Sequence, residues 1–209
     1  MAEISQTLDR GLQLLTLLAD APAGLTVTEA ATALDVNRTV VYRLVETLER
    51  RGFVRREPGG RISIGFGVIP LGTSVHPMLR QVATPVLRSL AEDVGATAHF
   101  TVADGQEGLA VAVVEPSWTN MHVAYRIGSR HPLTVGAAGR AIIGGRVGDP
   151  GYVSSTGEIQ AGASGVAAPV LDITGIEASV GVVALGQLDL AMTGPRVARA
   201  ATQMSARLT

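Results

Sequence analysis

Between Val36 and Arg61 the chain places seven arginines against three glutamates, a local +4 in a protein of net charge −1. Guanidinium groups gathered on one face bind phosphate, and this needs a local patch rather than a basic protein. Asn37 is a good helix N-cap. Behind it Val41, Leu44, Val45 and Leu48 recur at helical spacing and turn inward. That leaves Arg38, Thr39, Tyr42, Arg43 and Glu46 on the opposite face. A helix of this width enters the major groove, where the residues of its N-terminal half meet base edges. Arg55, Arg56 and Arg61 flank Glu57-Pro58-Gly59-Gly60, a turn signal. The residues expected to meet DNA are Thr28, Asn37, Arg38, Thr39, Val40, Tyr42, Arg43, Arg55, Arg56 and Arg61. The competing reading is a solvated helical hairpin used for protein contact.

Other chemistries find little support. There is no cysteine, so thiolate metal sites and disulfides are excluded. No G-x-S-x-G or phosphate-binding loop occurs, and no histidine pair has metal-ligand spacing. His99, His122 and His131 have no acidic partner at a suggestive distance in sequence. An enzyme is therefore the weaker class, and neither a metal nor a cofactor is expected.

A second candidate site is built of small residues. Gly136-Ala137-Ala138-Gly139 leads into a helix, and unblocked amides at a helix start attract an anion. Plain helix–sheet packing needs small residues equally. Met121, Val123 and Tyr125 share one face of an expected strand by alternation, and His99 and Thr101 share a face of another. Both sets suit a ligand pocket or a core. Trp118, in a loop after Pro116-Ser117, suits a pocket lid or a subunit contact.

The elements that must position these residues follow from periodicity and punctuation. An apolar stripe of Leu8, Leu12, Leu15 and Leu18 marks a first helix, wider than a small core requires and so available to a second copy. Thr26 and Glu29 form a capping box for the next helix. Two short strands, 53–56 and 61–64, form a basic hairpin. Together these read as a winged helix-turn-helix over residues 1–65. Residues 66–80, with Pro70 and Pro77, read as a linker holding one or two helical turns. Residues 81–209 read as a second domain. Within it Val82, Val86, Leu87, Leu90 and Val94 mark a helix, with Pro85 near its start or at a kink. Expected strands are 96–102, 109–114, 121–127, 166–171 and 178–185, with a short helix near 139–143. A last helix is expected with Pro195 at its first position, behind Thr193. The fold class is α+β. No apolar run is long enough to span a membrane and no signal-peptide pattern opens the chain, so a cytoplasmic protein without a membrane partner is expected.

Four segments, taken together and in order, resemble the isocitrate lyase regulator (IclR) family of bacterial transcription factors. They are LDRGLQLLTLLA, LTVTEAATALDVNRTVVYRLVETLERRGFV, HPLTVGAAGRAII and GYVSSTGEIQAGASGVAAPVLDITG. The resemblance covers nearly the whole chain. It implies a winged-helix domain, a linker helix and a C-terminal effector domain of GAF or PAS type with an antiparallel sheet. It also implies homodimers, often paired into tetramers, on palindromic double-stranded operators, with operator affinity set by a small-molecule effector. Taken with the helix start and the strand alternation, the residues expected to line the effector site are Met121, Val123, Tyr125, Val135, Ala137, Ala138, Gly139, Ser155, Gly165, Val182 and Ala184.

Two departures qualify it. Gly144–Pro150 runs almost directly into Gly151-Tyr152, shortening the second domain relative to the family. The strand that often carries alternating small polar residues reads Val182-Val183-Ala184. The expected effector is accordingly a small organic or aromatic acid, largely apolar, its acidic end at the 137–139 helix start. The alternative is a DNA-binding adaptor that has lost effector sensing.

Overall fold

The computed structural model describes residues 4–74, 77–119, 123 and 125–208. The chain divides into two compact units, between His76 and Pro77, and each is described by itself.

The first unit opens with α1 (Gln6–Ala19), which buries Leu14 and Leu18. Strand β1 (Leu25–Thr26) leads into α2 (Val27–Ala33), whose capping box is complete. The Thr26 hydroxyl accepts from Glu29 N at 3.2 Å, and the Glu29 carboxylate accepts from Thr26 N at 2.7 Å. Asp35, at φ 50°, turns the chain into α3 (Arg38–Arg50). Val41, Leu44 and Val45 of α3 join Leu14, Leu18, Ala30, Val54 and Ile62 in one core. Strands β2 (Val54–Arg56) and β3 (Arg61–Ile64) form the wing. β3 also pairs with β1, through Leu25–Ile62 and Thr26–Arg61, so the sheet has three strands in the order β1-β3-β2. A 3-10 turn (Phe66–Val68) and α4 (Ile69–Ser74) complete the unit.

The second unit begins with α5 (Pro77–Val94), which contains Pro85 rather than starting or ending at it. Six antiparallel strands follow: β4 (Thr97–Asp104), β5 (Glu107–Val114), β6 (Arg130–Pro132), β7 (Val153–Thr156), β8 (Ala163–Val170) and β9 (Ala178–Leu185). Their order in the sheet is β6-β5-β4-β9-β8-β7. Helix α6 (Gly136–Arg146) lies between β6 and β7 in sequence, and α7 (Leu190–Leu208) closes the chain. One sheet face, with Ala98, Phe100, Val166, Val180 and Val182, packs on Leu87 and Leu90 of α5 and on Val197 and Met204 of α7. The other face is covered by α6, where Ala137 and Ala141 meet Ala167.

Several boundaries differ from the sequence reading. The described part of the expected 121–127 strand, Val123 and Tyr125–Ile127, is not strand; β6 takes the edge beside β5 instead. Both β6 (RHP) and β7 (VSST) alternate in burial but are short and poor in apolar residues, so no hydrophobic alternation marks them in the sequence. β8 starts three residues early, at Ala163, because both faces of that strand are covered and small residues fit there. Helix α7 starts at Leu190, so Pro195 lies inside it and not at its first position. The Asp189 carboxylate accepts from Ala191 N at 2.9 Å and Met192 N at 3.3 Å, which supplies the cap further upstream.

Candidate nucleic-acid interface and effector cavity

The α3 surface is set by what its core face consumes. With Val41, Leu44 and Val45 buried, Arg38, Thr39, Tyr42 and Arg43 are exposed, Tyr42 at 52%. Val40 is half-buried against the core. Asn37 uses its side-chain oxygen to accept from Thr39 N at 3.1 Å, so it caps the helix. Thr28 is exposed on α2. Among the described residues, Arg38 and Arg43 have no acidic partner within salt-bridge distance.

The wing arginines are engaged otherwise. Arg55 pairs with Glu57 at 2.8 Å and lies 5.5 Å from the centre of the Phe66 ring. Arg56 pairs with Glu49 at 3.0 Å. Arg61 donates to the Ala23 carbonyl at 3.0 Å and the Gly24 carbonyl at 2.8 Å, and reaches Glu29 at 3.4 Å. Its guanidinium ties the α1–β1 connection to the wing, a structural role that the sequence assignment of Arg61 to a DNA surface did not include. The strand pairing of Thr26 with Arg61 puts this arginine beside the capping box, and periodicity of the wing alone cannot reveal that.

In the second unit a cavity of about 150 Å³ opens between the sheet, the α6 start and the β7–β8 loop. His99, Val123, Tyr125, Ser129 and His131 line one side. Ala137, Ala138, Ser155, Gly165 and Val183 line another, and Glu158, Ile159 and Gln160 come from the loop. Three rings form a wall: His99 and Tyr125 have centroids 5.0 Å apart, and Tyr125 and His131 are stacked at 6.0 Å. Beside the wall is Thr101, whose hydroxyl meets His99 Nδ1 at 3.1 Å. Burial pushes His99 down to about 4, with the charge of His131 adding to the effect. Burial lowers His131 and raises the Tyr125 phenol. At neutral pH this wall is uncharged. Gly181 sits under the His99 ring, where a Cβ would lie 2.8 Å from Nε2.

Of the expected effector residues, Val123, Tyr125, Ala137, Ala138, Ser155 and Gly165 come together here. Met121 lies outside the described residues. Val182 and Ala184 do not belong to the cavity. Val182 pairs with Ala98 and Val166 and points with them into the α5–α7 core, against which Ala184 also packs, so period-2 alternation presents Val183 to the cavity. Val135 is the residue before α6 and does not line the cavity. Gly139 packs on the backbone before α6, where a Cβ would come within 2.4 Å of the Leu133 carbonyl oxygen.

The first two amides of α6 are also not free. The Glu158 carboxylate accepts from Gly136 N at 2.9 Å, and the Ser155 hydroxyl accepts from Ala137 N at 3.0 Å. Arg140 pairs with Glu158 at 2.9 Å and donates to the Ser154 carbonyl at 2.6 Å. The Gly136 amide and Arg140 together hold the Glu158 carboxyl below its ordinary range. Glu158 was not among the expected site residues, although it lies in the GYVSSTGEIQ segment that carries the family resemblance, inside the glycine-bounded loop 157–162. Trp118 stands apart from the cavity, over Gly95, with its indole N–H donating to the Glu92 carbonyl at 3.3 Å.

Comparison with known proteins decides the family. Residues 7–58 match the IclR helix-turn-helix domain, and residues 73–147 match the C-terminal domain of the bacterial transcriptional regulator IclR. The chain belongs to the IclR family. It is 30% identical to the transcriptional regulator KipR of Bacillus subtilis over 86% of this chain and 73% of KipR. It is 30% identical to the transcriptional repressor IclR of Escherichia coli over 66% of this chain, a match spanning about half (52%) of that repressor. The IclR fold extends over both units. A regulator from Alicyclobacillus acidocaldarius superposes with a TM-score of 0.81 at 22% identity, covering 99% of this chain and 100% of that one. An IclR homologue from Microbacterium hydrocarbonoxydans, solved with 4-hydroxybenzoate, gives 0.81 at 19% identity, covering 97% and 99%. No described helix is long and apolar enough to cross a membrane.

Proposed function

We propose that this IclR-family protein binds operator DNA through α3 and reads a compact effector in the cavity of its second unit. The observation that carries the DNA reading is the exposed set Arg38, Thr39, Tyr42 and Arg43, with neither arginine paired to an acid among the described residues. A bidentate arginine at a guanine edge discriminates bases, whereas a phosphate contact weakens all sequences alike. Arg38, at the helix start, is the base reader, and Arg55 and Arg56 serve the backbone after exchanging their glutamates for phosphate. Sequencing the genomic fragments retained by the purified protein tests this directly. A protein that retains no fragment above background sinks it.

The effector reading rests on the cavity's dimensions and its ring wall. A space of about 150 Å³ is of the order that holds one six-membered ring. The 4-hydroxybenzoate bound by the Microbacterium homologue is of that size. On this reading the cavity senses a ligand for a DNA-binding regulator. A ligand that shifts operator affinity separates a sensor from an adaptor.

The protein acts as a homodimer, with a second copy at the apolar face of the first unit. Leu8 is 63% and Leu12 is 55% exposed, and they border a groove with Leu15, Leu48 and Phe53. One recognition helix buries too little surface for strong specificity, and symmetric half-sites supply the rest.

A further inference from the structure

The cavity already contains a carboxylate, and it is the protein's own. Glu158 occupies the first amide of α6 and the Arg140 guanidinium together, at 2.9 Å each. Ser155 occupies the next amide, and Arg140 spends another N–H on the Ser154 carbonyl. The first two amides of α6 and the Arg140 guanidinium, which would otherwise receive an anion, are thus satisfied internally. The rest of the polar lining is neutral at pH 7: His99, Tyr125, His131, Ser129, Gln160 and Ser164. Among the described lining residues Glu158 is the one with a formal charge, and that charge is negative.

We propose that Glu158 is a specificity-determining residue that makes this cavity select uncharged effectors over acids of the same shape. The preferred ligand is a single-ring molecule, or one of similar bulk, with an N–H or O–H that the Glu158 carboxylate accepts. This rests on the reading of the cavity as the effector site. An acid entering here either sits beside Glu158, or displaces it from Gly136 and Arg140 and leaves that carboxylate without its partners. Like charges at short range disfavour the first, and lost charge-assisted hydrogen bonds disfavour the second. Glu158 is partly exposed, with 32% of its side chain accessible, so the penalty is one of selectivity rather than absolute exclusion.

The test uses the full chain and two matched pairs at pH 7.5, benzamide with benzoate and 4-hydroxybenzamide with 4-hydroxybenzoate, followed by calorimetry. The amides are expected to bind at least about tenfold more tightly than the acids. Glu158→Gln keeps an acceptor for the Gly136 amide while removing the charge, and should raise acid affinity enough to close most of that gap, with the amides little changed. Arg140→Gln, which leaves Glu158 less neutralised, should widen it. Thermal melts of each variant show whether the fold survives. Acids that bind as tightly as amides in the unaltered protein overturn the proposal and leave the effector site standing, as does a ratio that Glu158→Gln does not move. If no member of either pair binds, both the proposal and the single-ring reading of the cavity fall.

Discussion

Arg38 and Arg61 carry the same charge and differ in everything else. Arg38 is exposed and unpaired with any described acid, whereas Arg61 is bound to two carbonyls and Glu29. Arg38→Ala should leave the melting temperature unchanged and cost about 1–3 kcal/mol of discrimination between operator and random duplex. Arg61→Ala should do the reverse, lowering stability by about 1 kcal/mol while changing affinity equally for all sequences. Fluorescence anisotropy on both duplexes, with melts alongside, tells them apart; a stability loss confined to Arg38→Ala contradicts the assignment. His99 offers a second residue-scale prediction. The unfolded chain protonates this imidazole near 6.5 and the folded protein only near 4, so between those values the unfolded state binds more protons. Stability therefore falls as pH is lowered through that window, by about 3 kcal/mol in full at 1.36 kcal/mol per unit. His99→Gln should flatten the dependence, and parallel pH profiles for the two proteins would refute it.

At the scale of elements, two small features hold larger ones in place. The Thr26–Glu29 capping box fixes the start of α2 and, through Glu29, touches the arginine that ties down the wing. Thr26→Ala should cost about 1 kcal/mol, read as a lower midpoint in urea. An unchanged midpoint would mean that strand pairing alone fixes this corner. Gly139 lets α6 lie on the chain before it, since a methyl there meets the Leu133 carbonyl oxygen at 2.4 Å. Gly139→Ala should destabilise the second unit by about 1–3 kcal/mol, although alanine favours helix, because packed backbone has no room to yield. A gain in stability from that change contradicts the contact. The same substitution reports on the cavity, as α6 carries two of its lining residues.

For the molecule as a whole the decisive quantity is its assembly state. Sedimentation equilibrium at micromolar concentration should give a dimer, and Leu8→Glu with Leu12→Glu should shift it toward monomer and weaken operator binding. A wild-type monomer that stays monomeric on its operator removes the pairing argument. Binding should also weaken steeply as salt rises, since each released phosphate counterion contributes to the slope. A flat salt dependence contradicts arginine contact with the backbone.

What the sequence determined by itself is the local grammar. The capping box at Thr26, the cap at Asn37, the α3 core face and the limits of β9 at Ala178 and Leu185 all depend on residues near one another in the chain. Four ordered segments were enough to reach the family. Tertiary structure decided the phase and the pairing. Whether Val182 or Val183 faces the cavity depends on which sheet face α5 and α7 cover, and both residues are apolar, so alternation carries no sign. Glu158 reaches Gly136 across 22 positions, and Arg61 reaches Gly24 across 37. Such contacts arise when strands are laid side by side, and an antiparallel sheet brings together residues that the linear pattern keeps far apart.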